Sequence, residues 1–214
     1  MAKPTKDSDT ASATGIVPPG GSISELTKVA KACKAFDLWK TATQTVFGEG
    51  GGPSPKLMLV GEQPGNSEDL AGSPFVGPAG KLLDQALEQA GIDRRTAYVT
   101  NVVKHFKWEP RSKRRIHKKP NAPEIAACRP WLDAEIAALR PRVLVCLGAT
   151  AAQALLGKDF RVSQRRGELI PSPLAPCVTA TVHPSSILRA PDEATRHREM
   201  QCFVDDLEKI AKLL

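Results

Sequence analysis

No apolar run in this 214-residue chain approaches the length needed to span a membrane. The first residues lack the charged, apolar and small-residue zones of a secretory signal. Five cysteines, an odd number at irregular spacing, argue against a disulfide framework and for a reducing compartment. No internal repeat is present. These absences lead to the expectation of a cytoplasmic protein with no membrane partner. Two phosphate-binding signatures are missing as well. The run from Gly77 to Lys81 has the wrong spacing for a Walker cradle, and Pro78 removes a backbone donor. No G-x-G-x-x-G lies between a strand and a helix.

What is present is organised around Val60–Gly80, VGEQPGNSEDLAGSPFVGPAG, which holds five glycines and three prolines. It follows an apolar run, residues 56–60, that reads as a buried parallel strand. Gly and Pro at that density predict a long shaped loop before a helix resumes at Lys81. Loops leaving the carboxyl ends of strands in an open α/β sheet are where ligands bind. Glu62, Gln63 and Asn66 accompany a single aromatic here, Phe75. Its ring suits either a plug for the nearby core or a platform for a flat heterocycle.

The length suffices for one domain with a proper core. A hydrophobic content of 41% with 25% charged residues is that of an ordinary soluble protein. Residues 1–21, rich in small and polar types, are expected to form a disordered tail, with residues 22–214 as the single domain. Ser22 to Glu25 reads as a capping box opening a helix through Cys33. Residues 48–53 read as a linker. Residues 97–103, 142–148 and 177–182 read as further strands, and helical spacing marks 82–90, 121–139, 149–156 and 200–214. This alternation predicts a three-layer α/β/α fold around a central, mostly parallel, four-stranded sheet. A parallel sheet brings Glu62, Gln63, Asn101 and His183, each following an apolar strand, to one edge. That convergence argues for one site better than any single residue does.

Charge singles out a second region. Residues 104–119 hold eight Lys or Arg against one acid, Glu109; the 30 basic residues less these eight leave 22, equal to the acids outside the segment. The whole net charge of +7 therefore sits in sixteen residues that also contain Phe106, Trp108, His105 and His117. Basic residues concentrated among aromatics suggest contact with a phosphate backbone, so nucleic acid is the expected partner.

The motifs GEQPG, PFVGPAGKLLD, TNVVKH, ACRPWL, LGATAA and TVHPSS, in this order between about Cys33 and Arg189, resemble the uracil-DNA glycosylase superfamily and are most similar to its iron–sulfur branch, family 4. The run KRRIH at residues 113–117 and the Gln of GEQPG are similar to the subgroup called UdgX. Its members excise uracil and then stay covalently attached to the abasic site through the His of that run. The resemblance implies that Phe75 stacks on uracil and Asn101 reads its N3 and O4 edge. It implies that His183 stabilises the departing anion, with Glu62 and Gln63 shaping the catalytic pocket. His117 becomes the nucleophile toward C1′, in a reaction that stops after one turnover. Lys113, Arg114, Arg115, Lys118 and Ser185 become DNA contacts. The implied partner is uracil-containing DNA, single-stranded or double-stranded, bound by a monomer.

The branch also carries a [4Fe–4S] cluster. Cys33, His105 and Cys128 match three of its ligand positions, whereas Phe36 stands where a second Cys belongs, leaving the set one donor short. The expectation is no stable four-ligand cluster, or one held weakly with an outside ligand. Asn66, similarly, stands where relatives tend to carry an acid. Two rival readings remain at this level: a conventional turnover glycosylase, and a DNA-binding module without catalysis.

Overall fold

A computed structural model describes residues 12–52 and 54–214. The elements are α1 (Ile23–Ala30), β1 (Glu49–Gly50), β2 (Leu57–Gly61), α2 (Asn66–Ala71), α3 (Pro78–Gln89), β3 (Ala97–Asn101), β4 (Trp108–Arg111), β5 (Arg114–His117), α4 (Ala122–Leu139), β6 (Val143–Leu147), α5 (Ala149–Leu156), α6 (Val162–Arg165), β7 (Cys177–Thr181), α7 (Pro184–Leu188) and α8 (Glu193–Ala211). The central sheet runs β1-β3-β2-β6-β7, parallel throughout except for the antiparallel edge strand β1. Among the described residues no helix is long and apolar enough to cross a membrane.

Alternation along each strand explains the three layers. Leu57, Leu59, Val143 and Val145 face one side and pack with Leu83 and Leu87 of α3 and Phe203 and Leu207 of α8. Met58, Val60, Leu144 and Cys146 face the other, against Leu132 and Ile136 of α4 and Ala151 and Ala152 of α5. Every residue of β2, β3 and β6 is buried, as apolar strands covered on both faces require. The expected capping box of Ser22 with Glu25 forms, and a second joins Asn121 with Glu124.

Three expectations need correction, and one unassigned segment gains a structure. The sheet has five strands, because Glu49 and Gly50, read as linker, pair with Val99 and Tyr98. Two residues rich in Gly carry no period-2 pattern, so their pairing comes from the backbone alone. The Val60–Gly80 stretch is not all loop. It contains α2, which Gly72 stops at φ 80°, and α3 begins at Pro78, where a missing N–H costs nothing. The basic segment, which no pattern assigned to an element, is the antiparallel hairpin β4–β5. Of the expected tail, residues 1–11 lie outside the described residues. Residues 12–21 are placed on the domain, with Ala13 fully buried beside Leu26, Ala30 and Trp131.

Candidate active site

The sheet ends in a crevice where its connections diverge. The chain leaves β2 toward α3 on one face and leaves the adjacent β6 toward α5 on the other, the arrangement that opens a ligand site at the carboxyl edge. Register makes the strand ends level: Gly61 pairs with Asn101, and Leu147 with Thr181. A cavity of about 830 Å³ occupies this edge, lined by Glu62, Gln63, Phe75, Asn101, His117, Thr150, His183 and Ser185 among others. The three strand ends named from the sequence do converge there, and the basic hairpin adds His117.

Phe75 is held by backbone it could not adopt alone, at φ 57°. Gly80 permits this conformation, since a Cβ there would overlap the Phe75 carbonyl. The Glu68 carboxylate staples the loop, accepting from the Gly65 N–H at 3.0 Å and the Gly77 N–H at 2.7 Å. The Phe75 ring is buried and lies 5.9 Å from the His183 ring at an interplanar angle of 30°. It thus combines both possibilities, closing the core beneath and presenting its ring in the cavity wall. Gly61 makes room for this neighbourhood: a Cβ there would stand 2.4 Å from Asn101 Oδ1 and 2.8 Å from Phe75 Cζ.

Asn101 is 1% exposed, yet neither its Oδ1 nor its Nδ2 has a hydrogen-bond partner among the described residues. An amide left bare in a buried wall is costly and is normally completed by a ligand. Its free donor and acceptor match one edge of a planar heterocycle that offers an acceptor beside a donor.

His183 caps α7. The Ser185 backbone N–H donates to its Nδ1 at 3.1 Å, and the Ser185 hydroxyl lies 2.8 Å from the same atom. A backbone N–H can only donate, so Nδ1 carries the lone pair and the ring proton sits on Nε2. Burial, reinforced by the charges of Arg189 and His117, lowers the imidazole from 6.5 to about 4. His183 is therefore a neutral donor near pH 7, suited to a developing anion.

Opposite it, Glu62 faces two ways. Its Oε1 lies 3.3 Å from His117 Nε2, and its Oε2 accepts from the Thr150 hydroxyl. His117 ends β5 and is half-exposed, with its ring 6.2 Å from Phe106. The hairpin bearing it is pinned at several points. Gln63 Nε2 donates to the Lys107 and Lys118 carbonyls, both at 3.1 Å, and Gln63 Oε1 accepts from the Lys107 N–H. Arg115 donates to Asp69 at 2.6 Å and to Asn66 at 2.8 Å, with its guanidinium 5.5 Å from the Phe106 and Trp108 rings.

Residues 47–208 match the family described as the uracil DNA glycosylase superfamily. This chain belongs to that superfamily. It is 37% identical over 180 residues to a type-4 uracil-DNA glycosylase of Pyrobaculum aerophilum, covering 79% of this chain and 86% of the relative. A type-4 uracil-DNA glycosylase of Thermotoga maritima is 39% identical over 181 residues, covering 84% and 88%. One from Archaeoglobus fulgidus is 33% identical over 206 residues, covering 90% and 93%. Membership makes the chain a uracil-DNA glycosylase by class, an enzyme of DNA repair acting on DNA.

Several residues expected at the site have partners within the protein. Both ends of the Gln63 amide are engaged by the hairpin backbone that leads to His117. Arg115 is tied to Asp69, and Lys118 pairs with Glu109 at 2.9 Å. Ser185 orients His183. Lys104 and Lys107 are paired with Glu135 and Glu124. Four of the eight cations, Arg111, Lys113, Arg114 and Lys119, are exposed and without an ion pair among the described residues, and these are free for phosphates.

The cluster ligands fare differently. Cys33 Sγ accepts from the Trp131 indole at 3.3 Å, and His105 Nε2 lies 3.0 Å from the Thr45 hydroxyl. Burial lowers His105 to about 4 and raises the Cys128 thiol. Phe36 packs on the apolar cluster that contains Leu38 and Cys128. Among the described residues no three His, Cys, Asp or Glu gather into a metal-holding group. With Phe36 where a second Cys belongs, Cys33, His105 and Cys128 supply three donors where a four-ligand cluster takes four.

Sequence reasoning missed Thr150, Glu68 and Gly148. Gly148, at φ 89°, lets the β6–α5 turn approach His183, whose Cβ would stand 2.8 Å from any Cβ added there. Its place between an apolar strand and a helix was the available signal. Thr150, in the first turn of a helix, offered none.

Proposed function

We propose that this enzyme excises uracil from DNA and then captures the abasic sugar at C1′ on His117. The observation that carries the reading is that His117, facing Glu62, lines the same cavity as the bare Asn101 amide and the neutral His183.

Excision requires the base to leave the stack and enter a fitted pocket. There Phe75 supplies a face for the ring. Asn101 Nδ2 donates to uracil O4, and Oδ1 accepts from N3–H. Cytosine presents an amine donor where O4 accepts, which leaves Asn101 Nδ2 unpaired and is discriminated against accordingly. The C1′–N1 bond breaks with its electron pair going to the base. His183 Nε2–H donates to the developing oxyanion at O2, in an enclosed site where such a bond is strongest. The sugar is left electron-deficient at C1′, beside the Glu62 carboxylate. A lone pair of the His117 ring forms the new C–N bond, and the ring charge this creates is offset by Glu62. The ring proton then lost and the proton gained by the uracil anion balance. A neutral imidazole is a far better nucleophile than water. The pinned hairpin delivers it without a search.

The test is a denaturing gel of protein mixed with uracil-containing DNA, read alongside free uracil. The wild-type protein should release uracil and shift with the DNA after boiling in detergent. His117→Ser should release uracil and leave an abasic site with no shift. A wild-type protein that releases uracil and never shifts is a turnover enzyme, and the capture step is then rejected.

A further inference from the structure

The two oxygens of Glu62 have separate assignments. Oε1 faces His117, while Oε2 takes the Thr150 hydroxyl, whose one hydrogen bond among the described residues is this one. The last torsion of a Glu side chain is broad and nearly two-fold, so a carboxylate held at one oxygen swings. Thr150 removes that freedom. It is buried, and it sits in the first turn of α5, whose position is set by the close approach of Gly148 to His183. The amino end of this eight-residue helix also favours an anion.

We infer that Thr150 is a positioning residue for the reaction, aiming the free oxygen of Glu62 at C1′ and at the His117 ring. Negative charge aimed at the sugar speeds bond cleavage, because positive charge develops there in the transition state. The same aim holds His117 ready, so loss of the hydroxyl acts on two steps. The effect on capture rests on the His117 reading; the effect on cleavage does not.

The experiment compares Thr150→Val, which keeps the shape and removes the hydroxyl, with Thr150→Ser, which keeps the hydroxyl. Uracil release is measured in single turnover at saturating protein, DNA affinity separately, and the cleaved sites are divided into adduct and free abasic DNA. Thr150→Val should slow release about ten- to hundredfold, the scale of one lost hydrogen bond to a charged group, with DNA affinity unchanged. It should also raise the share of free abasic DNA. Thr150→Ser should restore both toward wild type. Wild-type release and partition in Thr150→Val overturn the inference. So does a Thr150→Ser variant as slow as Thr150→Val, which assigns the loss to packing. A wild-type protein that forms no adduct rejects the His117 reading while the release rates still decide Thr150.

Discussion

Asn101→Leu should make the free protein more stable while removing its activity. The amide is 1% exposed with both polar atoms bare, and leaving a buried polar group unpaired costs about 1–3 kcal/mol. Leu has a similar volume and nothing to satisfy, so the change relieves that cost without opening a cavity. For a domain of this size, 1 kcal/mol moves the melting temperature by about 2–4 °C. A rise of roughly 2–12 °C follows, read by calorimetry on the DNA-free protein. Uracil release should fall at least about a hundredfold, since two contacts to the base vanish together. Salt-sensitive DNA binding through Arg111, Lys113, Arg114 and Lys119 should persist. A lower melting temperature together with wild-type release would refute the assignment of this amide to the base.

Three further outcomes follow from the same geometry. Gln63→Leu removes three hydrogen bonds to the hairpin backbone; hydrogen exchange over residues 107–118 should quicken and adduct formation should fall more than uracil release, whereas an equal fall in both would place Gln63 on the base instead. Gly148→Ala must hold φ near 89° with a Cβ 2.8 Å from that of His183, so a loss on the order of 1–3 kcal/mol and slower release are expected, checked by melting and single-turnover assays. Acid should weaken the fold: His105 and His183 ionise near 4 in the native state against 6.5 when exposed. The unfolded chain then binds protons first, and stability is full above about 6.5 and declines toward about 4. Melting temperatures that stay level from pH 7 to 4.5 would contradict this.

The sheet was readable because β2, β3, β6 and β7 are apolar runs covered on both faces, and their ends carried Glu62, Asn101 and His183 to one edge by topology alone. The edge strand at Glu49 and Gly50 was not readable, because a Gly-rich pair has no face to bury. Nor was the β4–β5 hairpin. Its residues are mostly charged and exposed, and its register depends on Gln63, which is 44 and 55 residues from the two carbonyls it holds. The concentration of charge in that segment was visible, but which cations stay free depends on partners such as Asp69 and Glu135 that only the fold supplies. Thr150 escaped for the same reason: its meaning lies in a carboxylate 88 residues away.

The most direct test of the account is the intact mass of the protein after mixing with a uracil-containing oligonucleotide, taken under denaturing conditions. The account predicts one species whose mass equals protein plus oligonucleotide less uracil, with the modification mapping to the peptide that contains His117. Unmodified protein beside free uracil and abasic DNA would contradict it.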